Sequence, residues 1–142
     1  MKKTILPVLI LFLTLSCGSN ADVKPDIDKI LSDPKLVVEE LFRAANTDDY
    51  SLMSQLCDPN GEGDGDTKSL CEMAEGSAEH KAEYVGYFKM GKVTGDTEYS
   101  ESADGTKRAA VPFWFNHPGG ESRSNETMNL LQRDGKWYLY SF

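Results

Sequence analysis

The residues most able to do chemistry lie between two cysteines. After Cys57 comes Asp58-Pro59-Asn60-Gly61-Glu62-Gly63-Asp64-Gly65-Asp66, four carboxylates and one amide at alternating positions in a glycine-rich stretch. Alternating oxygen donors can converge on one hard cation, so Asp58, Asn60, Glu62, Asp64 and Asp66 are candidate calcium ligands, and apart from that calcium no cofactor is expected. The match to an EF-hand loop stops early. Counting from Asp58, donors fall at the first, third, fifth and seventh places and Gly63 at the sixth, but Ser69 occupies the place of the closing bidentate Glu and Glu72 comes three residues later. The competing reading is a solvated acidic loop held at its base by Cys57 and Cys71.

The cysteines carry their own arithmetic. Cys17 lies near the N-terminus, leaving Cys57 and Cys71 in the body of the chain. In an oxidising compartment two such thiols commonly pair. A loop of about fifteen residues closed in this way contributes ~3 kcal/mol in the chain-entropy account. Two separate buried thiols are the alternative. A cysteine nucleophile is disfavoured, because no histidine or other base accompanies either thiol in sequence.

No set of residues is assigned as catalytic. His80 sits in a polar stretch and His117 opens a His-Pro-Gly-Gly turn, where a structural role is the simpler reading. No P-loop, G-x-S-x-G, H-E-x-x-H or dinucleotide fingerprint is present. Tyr84, Tyr87, Trp114, Tyr138 and Tyr140 are candidate pocket residues, rings whose polar tips can orient a ligand, against the alternative of packing in a core or on a sheet. With 23 acidic against 15 basic residues and a formal charge of -8, the chain repels a phosphate backbone, which argues against a nucleic-acid partner.

The elements that must position these residues follow from periodicity. Asp33-Pro34 is an N-cap followed by proline at the first helical position. Leu36, Val37, Leu41, Phe42, Ala44 and Ala45 then recur at helical spacing, predicting an amphipathic helix over Pro34 to Asn46. Asp48 or Asp49 caps a second short helix carrying Met53, Leu56 and Cys57, with Tyr50 packing from its start. A third runs from about Thr67 to Glu75 with Leu70, Cys71 and Ala74 on one face. Aromatic and β-branched residues predict a long strand over Glu83 to Val93, and Lys107 to Asn116 alternates Val111, Phe113 and Phe115 against Ala110, Pro112 and Trp114. Arg123 to Gln132 and Trp137 to Phe142 complete the strands, the last two joined by an Asp134-Gly135 turn. Helices first and then an antiparallel meander give an α+β fold, N-terminal helices packed on a curved antiparallel sheet. Pro112 marks an edge or a bulge.

The N-terminus is an export signal. Lys2 and Lys3 precede Ile5 to Leu15, an uncharged apolar run of the length of a signal-peptide core and too short to span a bilayer. Leu13-Thr14-Leu15-Ser16-Cys17 resembles a bacterial lipoprotein signal, with a small residue before the cysteine and Thr14 where leucine is usual. The resemblance implies that residues 1–16 are removed and that Cys17 is lipidated. Several acyl chains would then anchor the protein stably in the cell envelope, at the periplasmic face or cell surface. Residues 17–33 are then a tether and 34–142 the folded domain. An ordinary cleavage after Ser19-Asn20-Ala21, giving a secreted protein, is the alternative.

The order of helices and strands, closing on Leu130-Leu131-Gln132-Arg133-Asp134-Gly135-Lys136-Trp137-Tyr138-Leu139, resembles the nuclear-transport-factor-2-like domain, also called cystatin-like or SnoaL-like. More narrowly it is similar to small bacterial lipoproteins of unknown function. The resemblance spans about Pro34 to Phe142 and implies a sheet wrapped around a helix to form a cone with an apolar cavity. Some members of that superfamily are isomerases or dehydratases, and many are non-catalytic binding modules.

Three functions are therefore expected. The first is a membrane-anchored, non-catalytic module binding a small molecule or a protein; the second is an isomerase- or dehydratase-type enzyme using the cone cavity; the third is a calcium-stabilised acidic-loop module. Sheet faces bearing Phe113, Trp114 and Tyr140 offer a surface for a homodimer.

Overall fold

The computed structural model describes residues 25–116 and 123–142. The expected export signal, Cys17 and the expected His117 turn lie outside the described residues. No helix among the described residues is long and apolar enough to cross a membrane.

Among the described residues four α-helices precede a five-stranded antiparallel sheet. Helix α1 (Ile27–Leu31) is capped by Asp26, whose carboxylate accepts from the amides of Asp28 and Lys29. It occupies part of the expected tether and is packed rather than free: Leu31 is buried and Lys136 Nζ holds Asp28 Oδ1 at 2.7 Å. The signal for this helix, Asp26 before Ile27, Ile30 and Leu31, is short and easily read as linker.

Helix α2 (Pro34–Thr47) starts where the sequence places it, with Asp33 accepting from Lys35 N at 2.8 Å. Its stripe of Val37, Val38, Leu41, Ala44 and Ala45 is fully or almost fully buried. Asp48 does not cap the next helix. It ends α2 in the left-handed conformation at φ 54°, and Asp49 accepts from Ser51 N and pairs with Arg43 at 3.1 Å. The expected second helix is a single 3₁₀ turn, Met53–Leu56, and the third divides into α3 (Gly65–Cys71) and a 3₁₀ turn at Met73–Glu75.

The largest departure is the segment expected as the first long strand. Most of it is helical: α4 (Ala78–Phe88) is capped by Ser77, whose Oγ accepts from His80 N, and only Lys92–Val93 (β1) is extended. Tyr84 and Phe88 lie one turn apart on the buried face. Strand preference of aromatic residues is a statement about half-buried surfaces, and here a capped amphipathic helix supplies such a surface instead.

Strands β2 (Glu98–Glu101), β3 (Lys107–Asn116), β4 (Arg123–Arg133) and β5 (Lys136–Ser141) complete the sheet. Strands β1 and β2 share one edge of β3, followed by β4 and then β5. The alternation of β3 holds throughout, with Ala109, Val111, Phe113 and Phe115 buried toward the helices. Phe113 thus belongs to the core and not to an open face. Asp134 and Gly135, at φ 50° and 80°, form the two-residue turn between β4 and β5. The last hairpin carries a register shift at Asn129/Leu130, where Ser141 and not Tyr140 pairs with Asn129; Leu130 joins the core, and Leu131, on the opposite face, is buried as well. The molecule is an open α+β sandwich of helices on a sheet, compatible with the nuclear-transport-factor-2-like architecture.

Candidate functional site

Helices α3 and α4 enclose a groove of about 330 Å³ at the end of the sheet. Helical period explains why these side chains meet. On α3, Asp66, Ser69 and Leu70 stand at i, i+3 and i+4; on α4, His80, Glu83, Tyr84, Tyr87 and Phe88 continue one stripe through i+3, i+4, i+7 and i+8. Phe115, at the end of β3, and Phe142 close the far side. The N-terminus of α3 is fixed by Asp64 Oδ1 accepting from Thr67 N at 2.8 Å.

The floor is apolar and aromatic. Leu70, Met73, Tyr84 and Phe88 are buried, Phe88 stacks on Tyr84 with centroids 4.9 Å apart, and Phe142 meets Phe88 edge-on at 6.1 Å. Tyr84 contributes only its ring, because its hydroxyl donates to the Leu41 carbonyl at 2.5 Å, away from the rim residues. Burial first, then the neighbouring Tyr50 and Glu40, pushes this phenol well above its ordinary range. It stays protonated and structural.

The rim is polar. Ser69 Oγ and His80 Nε2 are 2.9 Å apart, with Asp66, Glu83 and Tyr87 beside them. Among the described residues no carboxylate hydrogen-bonds the His80 ring, and its Nδ1 side faces Gly76. A Ser–His contact without a third group to orient the imidazole lacks the arrangement that activates a serine nucleophile.

No protein-family model and no curated protein matches the chain. The site therefore rests on its own geometry.

The structure brings Tyr84 and Tyr87 into this groove and leaves the other three aromatic candidates elsewhere. Trp114 is on the opposite face of β3 from Phe113 and Phe115. Tyr138 borders a shallow depression with Ile27 and Lys136, and Tyr140 lies beside Gly61–Asp64 with the Arg108 guanidinium 4.1 Å over its ring. The alternation of β5 places Tyr138 and Tyr140 away from buried Trp137 and Leu139.

The acidic loop is tied into the fold by several of its own carboxylates. It runs along the free edge of β5: Cys57 bridges to Leu139, and Asp64 N donates to Tyr140 O at 3.1 Å. Asp58 is buried, receiving Arg133 Nε at 3.2 Å and Glu62 N at 3.2 Å, while Glu62 pairs with the same arginine at 2.8 Å. Asp64 is the helix cap and Asp66 stands at the groove rim. Among the described residues no three histidine, cysteine or acidic side chains gather as a metal site. Cys57 and Cys71 form a disulfide-capable pair with Cα atoms 6.0 Å apart, tying this loop to the end of α3.

Sequence reasoning missed Ser69, Glu83, Phe88, Phe115 and Phe142 as groove residues and favoured a structural role for His80. The signal that reveals most of them is the 80–83–84–87–88 spacing, which the strand reading of Glu83 to Val93 hid.

Proposed function

We propose that this chain is an exported bacterial lipoprotein of the nuclear-transport-factor-2-like type, anchored through Cys17, whose groove between α3 and α4 binds a small, largely apolar molecule without transforming it. The observation that carries this reading is the groove itself, an aromatic floor under a short polar rim. Its polar groups suit orientation better than catalysis: the Tyr84 hydroxyl serves the α2 backbone, and among the described residues no carboxylate orients the Ser69–His80 contact. The helix order, the antiparallel meander and the lipoprotein-like start of the sequence support the wider assignment.

The neutral dye N-phenyl-1-naphthylamine tests the groove, since its fluorescence rises on transfer to an apolar site. Enhancement with the wild-type protein and its loss in Ser69→Trp, which places an indole across the rim, are expected. Equal enhancement in both proteins would place the binding elsewhere and sink the reading. Mass spectrometry of the exported protein checks the anchor, which requires acyl chains on Cys17.

A second reading has one observation in its favour. Ser69 and His80 form a proton-carrying pair inside the groove, as a dehydratase or isomerase of this architecture would require of a general base. Turnover of a groove ligand by the wild-type protein, lost in His80→Ala with binding retained, would establish it.

A further inference from the structure

We infer that the groove selects an organic cation, an alkylammonium or arylalkylammonium head on an apolar body; this deepens the binding reading above and rests on it. Two independent features of the lining agree. The first is aromatic content: Tyr84, Tyr87, Phe88, Phe115 and Phe142 supply five rings to one groove. Ring faces carry negative quadrupole density, which attracts a cation within about 6 Å and is indifferent or repulsive to an anion. The second is the sign of the rim. Asp66 and Glu83 stand there, one on each enclosing helix, and no lysine or arginine lines the groove among the described residues.

Two nearby lysines are turned elsewhere. Lys81, next to His80 in sequence, donates its ammonium to Ala74 O at 2.9 Å and lies 5.5 Å over the Tyr50 ring. Lys68 borders the separate depression beside Tyr140. Ser69 and His80 are hydrogen-bonded to each other, and among the described residues Asp66 and Glu83 are the acidic groups of the rim. The surrounding field has the same sign, since the whole chain carries a formal charge of -8. A carboxylate or phosphate head would be repelled at this rim. An ammonium placed between Asp66 and Glu83 can instead keep its charge partly hydrated while its apolar body covers Phe88, Phe115 and Phe142.

The test uses three probes sharing one body: 4-phenylbutylammonium, 4-phenylbutanol and 4-phenylbutyrate. Each is titrated into the folded protein by calorimetry, with aromatic proton–carbon NMR locating the binding on Phe115 and Phe142. The ammonium is expected to bind most tightly, about 5-fold or more over the alcohol, with the butyrate weakest. In the D66N/E83Q double variant the ammonium should fall to the affinity of the alcohol, whose own binding is unchanged. Added salt should weaken the ammonium alone. Alcohol or butyrate binding at the same rings as tightly as the ammonium overturns the cation inference while leaving the groove as a binding site. Ammonium affinity unchanged in the double variant overturns it as well. Absence of ring shifts with all three probes also overturns it, and the neutral-dye experiment then decides separately whether the groove binds anything. Unchanged far-ultraviolet circular dichroism and Tm in the double variant show that any loss is of binding and not of fold.

Discussion

Arg133 Nε lies 3.2 Å from Asp58 Oδ1, joining the last hairpin to a loop that begins 75 residues earlier. The same guanidinium reaches Glu62 at 2.8 Å. The acidic loop is thereby fastened to β4 and covers the β5 edge, where unpaired strand groups would otherwise be open to another chain.

The two ends of that pair are not equivalent. Asp58 is fully buried at its side chain while Arg133 is partly exposed, so removing the arginine strands a buried carboxylate, whereas removing the acid releases a cation that can reach water. Arg133→Met should lower Tm by on the order of 5–10 °C, and Asp58→Asn by clearly less. The reverse order in thermal melts would show that the pair contributes little to holding the loop.

Tyr84 ties α4 to α2 through a buried hydrogen bond, and Tyr84→Phe should cost about 1 kcal/mol at neutral pH by chemical denaturation. Its dependence on pH has a definite sign. The native phenol is held protonated above its ordinary range, so the unfolded chain ionises first, near pH ~10, and native stability falls as pH rises beyond that point. The phenylalanine variant lacks this loss. The gap between the two proteins should therefore narrow or reverse between about pH 9 and pH 11, and a gap constant across that range would refute the buried-phenol account.

Two glycines should respond oppositely to alanine. Gly86 is inside α4 with no atom within 4 Å of an added Cβ, so Gly86→Ala should stabilise by roughly 0.5–1 kcal/mol through the helix backbone. At Gly91 an added Cβ meets the Phe42 ring and the Phe88 carbonyl, and Phe42 is itself buried against Phe88 and Phe113. Gly91→Ala should cost about 1–3 kcal/mol. Urea melts of both variants give the comparison.

Oxidation of Cys57 and Cys71 to a disulfide would close a loop of sequence separation 14 that contains the entire acidic stretch. The double serine variant should lose about 3 kcal/mol relative to the oxidised protein and should melt at the same temperature with or without dithiothreitol. Two titratable thiols in the native protein purified without reductant, or a wild-type Tm indifferent to reductant, would contradict the pairing.

What could be read from residue order was whatever depends on local rules. The Asp33-Pro34 cap starts α2, the alternation from Lys107 to Asn116 gives β3 with its buried face, and Asp134-Gly135 makes the last hairpin, because capping, period and positive-φ turn chemistry act over a few residues. From these the α+β class follows. Glu83 to Val93 was ambiguous for a physical reason: Tyr84, Val85, Tyr87 and Phe88 suit a strand by residue type and a helix by spacing, and the packing of α4 against α2 and the sheet selects the helix. Only tertiary structure could then set Asp66 and Ser69 opposite His80 and Glu83, turn the Tyr84 hydroxyl toward Leu41, and bring Arg133 onto Asp58. Those relationships join residues far apart in sequence, and their geometry exists once burial has fixed which faces meet.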